Sequence, residues 1–397
     1  MIDMKSLPLN DVKVIEFTHA VMGPSCGLIL ADLGAEIIRV EPQTGDPTRK
    51  LKGFGKGYYP FYNRNKESIA VNIKSEEGRQ IIHKMVKETD VIIENFGPGT
   101  MDRLGYGFEE MKKINPALIY SSLKGFLSGP YENRHAMDEV VQMMGGLAYM
   151  TGPPGQPLRA GASVVDIAGG MFAALGIVTA LYERNMSHKG KYIKSALYET
   201  CAFIMGQHMA YSALSDEEVP PMPKRISAWA IYKVFYTKDE DQIFVGIISE
   251  KHWEKFCIEF NRQDLFEDIR LKTNNDRINE RRWFLPEIEK LLASFTKEEI
   301  TNRCEKGGIP FAPIAQPEDL FNDIQLNYNN RLIQTDFPDG TTTKMPRIPL
   351  EYGKSDFGLR HHPPKNIGMH TKKVLSELGY SQLEIETLKK NNVIHFD

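Results

Sequence analysis

Apolar residues along the chain fall into short continuous runs separated by stretches of helical spacing, and the alternation recurs. Residues 12–17 (VKVIEF) form a strand-like run, 23–33 carry apolar side chains at helical spacing, and 35–40 (AEIIRV) give a second strand after Gly34. The pattern returns as a strand at 69–73, a helix at 75–87, a strand at 90–94 and, after Asn115-Pro116, a strand at 117–122. Further on come a strand at 190–196 and a helix at 198–214. Strands that alternate with helices in this way predict an α/β fold, a doubly wound parallel sheet (Rossmann-like) with helices on both faces.

The most apolar stretch, 162–181, approaches the length of a membrane span, but Asp166 lies inside it and glycines dilute it, so it reads as a buried core helix. The polar, proline-rich segment around 215–224 reads as a linker. Beyond it, charge and aromatic content rise, and a strand pair (230–236 and 242–247) precedes helices, which predicts a smaller α+β domain. The expected layout is a large domain over 1–214, a linker over 215–226, the small domain over 227–315, and a linker with a C-terminal return to the large domain over 316–397. A hairpin is expected within 335–349, around Pro338-Asp339-Gly340.

Composition narrows the function classes. With 397 residues, 41% hydrophobic and 25% charged, the chain is long enough for two or three folded domains. The 49 basic and 52 acidic residues leave a net charge of -3, so no general positive field exists to gather nucleic acid or an anionic membrane. Cys26, Cys201, Cys257 and Cys304 are far apart and form no C-x-x-C pair, which argues against a zinc site or a disulfide framework. The first residues (MIDMKSLPLND) lack a signal-like apolar stretch, and the expected location is cytoplasmic.

In an open parallel sheet, ligands bind beyond the carboxyl ends of the strands, here the segments 18–24, 42–49, 95–100 and 123–129. The turn after the first strand reads THAVMGP, so the G-x-G-x-x-G dinucleotide fingerprint is absent; Walker A, H-E-x-x-H and G-x-S-x-G are missing too. Asp166 opens the small-residue run IAGGMFAALG. Its plain reading is a helix N-cap; its functional one is a desolvated covalent nucleophile, with Gly169-Gly170 allowing close ligand approach. Glu94-Asn95-Phe96-Gly97-Pro98-Gly99 followed by Asp102-Arg103-Leu104-Gly105 offers amides, a ring for stacking and a guanidinium for phosphate. Asn63-Arg64-Asn65-Lys66 and Lys74 add positive charge near the same edge. His19 is either a donor in the first crevice loop or a structural histidine, and His361-His362 read as surface.

With Phe17-Thr18-His19, Gly23-Pro24, Asp32-Leu33-Gly34-Ala35, the Glu94–Gly99 and Asp102–Gly105 motifs and Asp166 together, the sequence resembles the family III CoA-transferases (CaiB/BaiF, formyl-CoA transferase-like). The resemblance is dense from residue 8 to about 205 and thinner in the small domain. It implies a CoA-binding large domain, an interlocked homodimer, and coenzyme A as an acyl-CoA co-substrate with no metal. It places the nucleophile at Asp166 and CoA contacts at Val21 and Met22 (through backbone), Val71, Lys74, Asn95, Phe96, Arg103 and His135. The implied reaction moves CoA from an acyl-CoA donor to a carboxylic acid through an aspartyl anhydride and an aspartyl-CoA thioester. Amides near Gly169-Gly170 or across the dimer are expected to stabilise the oxyanions.

Two alternatives stand beside it, an acyl-CoA racemase of the same fold and a catalytically silent acyl-CoA-binding paralogue. The racemase needs a histidine where this chain has Met137, with His135 two residues away. Met137 and the lack of glycine over 217–225 also depart from the formyl-CoA:oxalate branch. Trp229 widens an apolar wall, and a larger or less polar acid, of the carnitine or aromatic type, is expected as substrate.

Overall fold

The computed structural model describes residues 7–215, 218–224 and 227–397. They form two units: one over 1–224 and 324–397, the other over 225–323.

The first unit is built on a seven-stranded sheet in the order β12-β3-β2-β1-β4-β5-β6. Its strands are β1 (Lys13–Phe17), β2 (Glu36–Glu41), β3 (Lys66–Val71), β4 (Val91–Glu94), β5 (Ile119–Lys124), β6 (Lys191–Ala196) and β12 (Ile394–His395). All neighbours pair in parallel except β12, which adds antiparallel to β3. The strands begin within a few residues of the expected ones. The exception is β3, which starts three residues early because Lys66, Glu67 and Ser68 are polar yet buried, a burial that apolar patterning does not register.

Successive strand residues face opposite layers, as the pleat requires. Val14, Ile37, Val91 and Ile119 pack with helices α1 (Met22–Asp32) and α8 (Val164–Ser187) on one face. Ile15, Val40, Ile69 and Ile92 pack with α3 (Glu76–Val86) and the helices Thr371–Glu377 and Gln382–Lys390 on the other. Between them run α2 (Tyr58–Tyr62), α4 (Thr100–Leu104), α5 (Phe108–Ile114), α6 (Asp138–Met144) and α7 (Leu147–Thr151). The expected helix at 198–214 is two, α9 (Leu197–Ile204) and α10 (Gly206–Leu214), broken where Met205 meets Gly206.

The α8 helix departs from the expectation of a buried core helix. Val165, Gly169, Gly170, Ala173, Ala174, Ile177, Ala180 and Leu181 are buried, whereas Met171, Leu175, Tyr182 and Met186 on the other side are exposed. By length and composition α8 could cross a membrane. Its buried face instead packs against α1 and the sheet. The C-terminal hairpin pairs β10 (Leu332–Asp336) with β11 (Thr342–Pro346), turning at Gly340, whose φ is +91°.

The second unit holds a three-stranded antiparallel sheet, β7 (Tyr232–Tyr236), β8 (Gln242–Gly246) and β9 (Phe311–Pro313). Trp253, Phe256, Phe284 and Ile288 from its helices form the core over this sheet with Phe235 and Val245. Trp229 lies here against the Tyr232 ring at 4.9 Å. Parts of the expected linker and glycine-free segment, residues 216, 217, 225 and 226, lie outside the described residues.

Candidate active site

Strand order reverses between β1 and β4, so the crevice of this doubly wound sheet opens between the loops after Phe17 and after Glu94. Asn95 ties the two loops together. Its Nδ2 donates to the His19 carbonyl at 2.8 Å, and its Oδ1 accepts from the His19 backbone N–H at 3.0 Å and lies 3.1 Å from His19 Nδ1. The Phe96 ring lies 5.9 Å from the imidazole. Desolvation lowers the His19 pKa, against the opposing bond from Asn95.

Helix α1 starts in this crevice, next to Ala20 at φ +62°. A Cβ at Gly23 would stand 2.6 Å from Thr18, so glycine lets the helix begin tight against the end of β1. The first turn of α1 has neither a side-chain cap nor an acidic residue. Its open amides and the positive end of its dipole suit a phosphate or another anion.

Helix α8 is arranged in the opposite way. The N-cap is Ser163, which makes no side-chain bond, and Asp166 sits in the first turn rather than at the cap. The cap comes from Asp138, whose Oδ2 accepts from the amides of Val165 at 3.0 Å and Asp166 at 3.1 Å. Asp138 Oδ1 in turn accepts from Gln142 at 2.5 Å and faces Arg159 at 3.5 Å. The reading of Asp166 as an N-cap is thereby corrected.

The Asp166 carboxylate has no hydrogen-bond partner among the described residues. Its pKa is pushed up to about 7, first by desolvation and then by the charge of Asp138, with Arg159 opposing. The next residue, Ile167, packs in an apolar cluster with Val21, Leu28, Tyr58, Phe61 and Tyr62, which puts the start of α8 beside the start of α1.

Gly169 and Gly170 have a different job from the expected one. A Cβ at Gly169 would meet Met22 Cε at 2.6 Å, and one at Gly170 would meet Ser25 Oγ at 2.1 Å. They let α1 and α8 touch, and their amides lie within the helix, so they neither admit a ligand nor offer oxyanion donors.

The expected charge at 63–66 is also spent internally. Arg64 pairs with Asp32 at 2.6 Å, Asn65 donates to the same carboxylate at 2.8 Å, and Lys66 pairs with Glu16 at 2.8 Å. Arg103 and Lys74, by contrast, are exposed. The Arg103 guanidinium is held over its own loop by Pro98 O at 3.3 Å and Thr100 Oγ1 at 2.9 Å. Val21, Met22, Asn95, Phe96 and Arg103 are thus gathered around the crevice. Val71 and Lys74 lie at the end of β3, with the Val71 side chain in the core, and exposed His135 lies just before α6. Met137, also exposed, is the N-cap of α6.

Sequence reasoning missed Asp138, Arg159 and Tyr62. Asp138 was visible as an acid at a helix start and Tyr62 as the end of the aromatic run YYPFY, but neither pattern names its partner.

Comparison with known proteins fits this geometry. The model of "CoA-transferase family III" matches residues 9–371. A mouse (Mus musculus) succinyl-CoA:glutarate CoA-transferase is 32% identical, covering 98% of this chain and 90% of its own length. A formyl-CoA:oxalate CoA-transferase of Streptomyces avermitilis is 30% identical, covering 97% and 99%. The crystal structure of a CAIB/BAIF family protein from Brucella suis superposes with a TM-score of 0.82 at 30% identity, covering 94% of this chain and 99% of that one.

Proposed function

The chain belongs to CoA-transferase family III, and we propose that it moves CoA from an acyl-CoA donor to a carboxylic acid acceptor with Asp166 as the covalent carrier. The observation that carries this reading is the Asp166 carboxylate itself: unpaired among the described residues, desolvated, and held at the start of α8 beside the open first turn of α1. A carboxylate that water and cations do not solvate is a stronger nucleophile than its free counterpart.

The chemistry runs in four balanced exchanges. An Asp166 oxygen forms a C–O bond to the thioester carbonyl, the C–S bond breaks, and an acyl-aspartyl anhydride and CoA thiolate result. The thiolate attacks the Asp166 carbonyl and releases the donor acid, leaving an aspartyl-CoA thioester. The acceptor carboxylate attacks that thioester and frees the thiolate again. Finally the thiolate takes the acyl group of the acceptor and restores Asp166. No proton is consumed, and the thioester's energy is retained throughout.

CoA itself is bound by the crevice. The amides of Val21 and Met22 at the start of α1 take an anionic group, Phe96 stacks, and Lys74, Asn95, Arg103 and His135 supply the remaining contacts near the end of β3 and the loops. The relatives named above act on the short dicarboxylates succinate, glutarate and oxalate, so these acids lead the panel of substrates, ahead of carnitine-type and aromatic acids. The exposed apolar side of α8 at Met171, Leu175, Tyr182 and Met186 supports self-association as a homodimer.

Intact mass after incubation with succinyl-, glutaryl- and formyl-CoA, followed by borohydride reduction and peptide mapping, tests the reading. A CoA or acyl adduct on Asp166 is expected, and Asp166→Ala loses turnover by at least ~10³-fold while still binding CoA. Full turnover in Asp166→Ala would rule the carrier out. Entry of solvent deuterium at the α-carbon of an acyl-CoA, without transfer, would point to a racemase instead.

A further inference from the structure

Attack on a thioester carbonyl places a negative charge on its oxygen, which needs a hydrogen-bond donor already in place. The start of α8, where the nucleophile sits, has none to spare. The amide of Val164 is bonded to Ala162 O at 2.8 Å, those of Val165 and Asp166 to Asp138, and that of Ile167 to Ser163 O at 3.0 Å. The donor therefore comes from another element.

Helix α2 provides one. Tyr62 is 8% exposed and its ring packs with Val21, Leu28 and Ile167, the residue next to the nucleophile. Its hydroxyl has no hydrogen-bond partner among the described residues, and Asp166 is among the charges that act on it. The neighbouring Tyr59 shows the contrast: its hydroxyl bonds Glu41 at 3.1 Å and the Arg49 guanidinium, and is fully used in the fold.

We infer that the Tyr62 hydroxyl donates the hydrogen bond that stabilises the oxyanion formed when Asp166 adds to the acyl-CoA carbonyl, an assignment that rests on Asp166 being the carrier. As the Asp166 oxygen forms its bond to carbon, the carbonyl π pair moves onto oxygen. The Tyr62 O–H binds that oxygen without giving up its proton, and the pair returns as the C–S bond breaks and thiolate leaves. Burial, with the nearby charges of Asp166, Tyr58 and Asp138, pushes the Tyr62 phenol up from its ordinary value, so it stays a neutral donor across the working pH range.

Rapid-quench single turnover with succinyl-CoA, reading the Asp166 adduct by mass, tests the inference in wild type and Tyr62→Phe. Tyr62→Phe keeps the ring and its packing, and is expected to form the adduct ~10²-fold more slowly, the usual loss for one oxyanion donor. Its dissociation constant for succinyl-CoA and its melting temperature stay those of the wild type. An adduct formed at the wild-type rate overturns the inference and leaves the carrier role of Asp166 intact. No adduct in the wild type overturns both. Should Tyr62→Phe melt early, a ring-fluorinated tyrosine at position 62 keeps the shape and strengthens the donor; faster adduct formation supports the inference and an unchanged rate overturns it.

Discussion

Two carboxylates lie close to α1, Glu16 fully buried and Asp166 half-buried, and their surroundings could hardly differ more. Glu16, fully buried on β1, accepts from Lys66 at 2.8 and 3.1 Å, from Arg39 at 2.9 Å and from Thr18 at 2.7 Å. Gly27 on α1 makes room for it, since a Cβ there would stand 1.7 Å from Glu16 Oε2. Arg39 continues to Asn63 and Asp46, so the charge is compensated within the network. Asp166 has no bond to its carboxylate among the described residues, a second acid beside it, and an aromatic cluster against the next residue. The fold spends its cations on the carboxylate that holds loops in place. It leaves unpaired, among the described residues, the one proposed as the covalent carrier.

Removing the two charges should therefore have opposite effects. Glu16→Gln leaves Lys66 and Arg39 buried without their counter-charge, and breaking such a pair costs on the order of 3–5 kcal/mol. Desolvation already lowers the Lys66 pKa to about 8, and without Glu16 it falls further, so the loss is expected to be greatest at low pH, where the lysine must carry its charge. Urea unfolding at pH 6 and pH 9 measures both effects. A variant as stable as the wild type at both values would show that the network is dispensable.

Asp166→Asn, in contrast, should stabilise the protein while ending catalysis. An unfolded aspartate titrates near ~3.9, whereas in the fold Asp166 titrates at about 7. Between these values the native state keeps a proton that the unfolded state has lost, so stability falls as pH rises from about 4 to about 7 and is level beyond. The asparagine variant escapes that fall. It should equal the wild type at pH 4 and exceed it at pH 8 by on the order of 2–4 kcal/mol. Chemical denaturation across the range would break the comparison if Asp166→Asn were no more stable at pH 8.

The same contrast explains what the sequence could and could not say. The order of strands and helices was legible because it is written locally, in apolar runs and helical spacing, and the crevice follows from that order. Asp166 stood out as a lone acid in an apolar run. The partners were not legible, because an ion pair joins residues far apart: Arg64 meets Asp32 and Lys66 meets Glu16 across 32 and 50 positions. Charge at 63–66 therefore looked available when it was already spent. Glycine is ambiguous for a related reason, since Gly169 and Gly170 would look the same facing a ligand or facing Met22 and Ser25. Nor does apolar content alone tell which side of α8 meets the core.

Asp138 links the two kinds of carboxylate, because one group both caps α8 and repels the charge on Asp166. Asp138→Asn separates these roles. The amide oxygen still accepts from Val165 and Asp166, since asparagine caps as well as aspartate, but the NH2 that replaces Oδ1 cannot accept from Gln142, so stability should fall by about 1–3 kcal/mol, the cost of one buried donor left unpaired. The negative charge is gone, while Arg159 continues to favour ionised Asp166. The pKa of Asp166 then falls, and the acid limb of the kcat/KM profile, which reports the proposed carrier in the free enzyme, is expected to move to lower pH. Desolvation is the larger cause of the raised value, so the limb should not return to that of an ordinary carboxylate. An acid limb unmoved in Asp138→Asn, with the helix still capped, would mean that desolvation alone keeps Asp166 protonated below neutrality and that Asp138 serves α8 only as its cap.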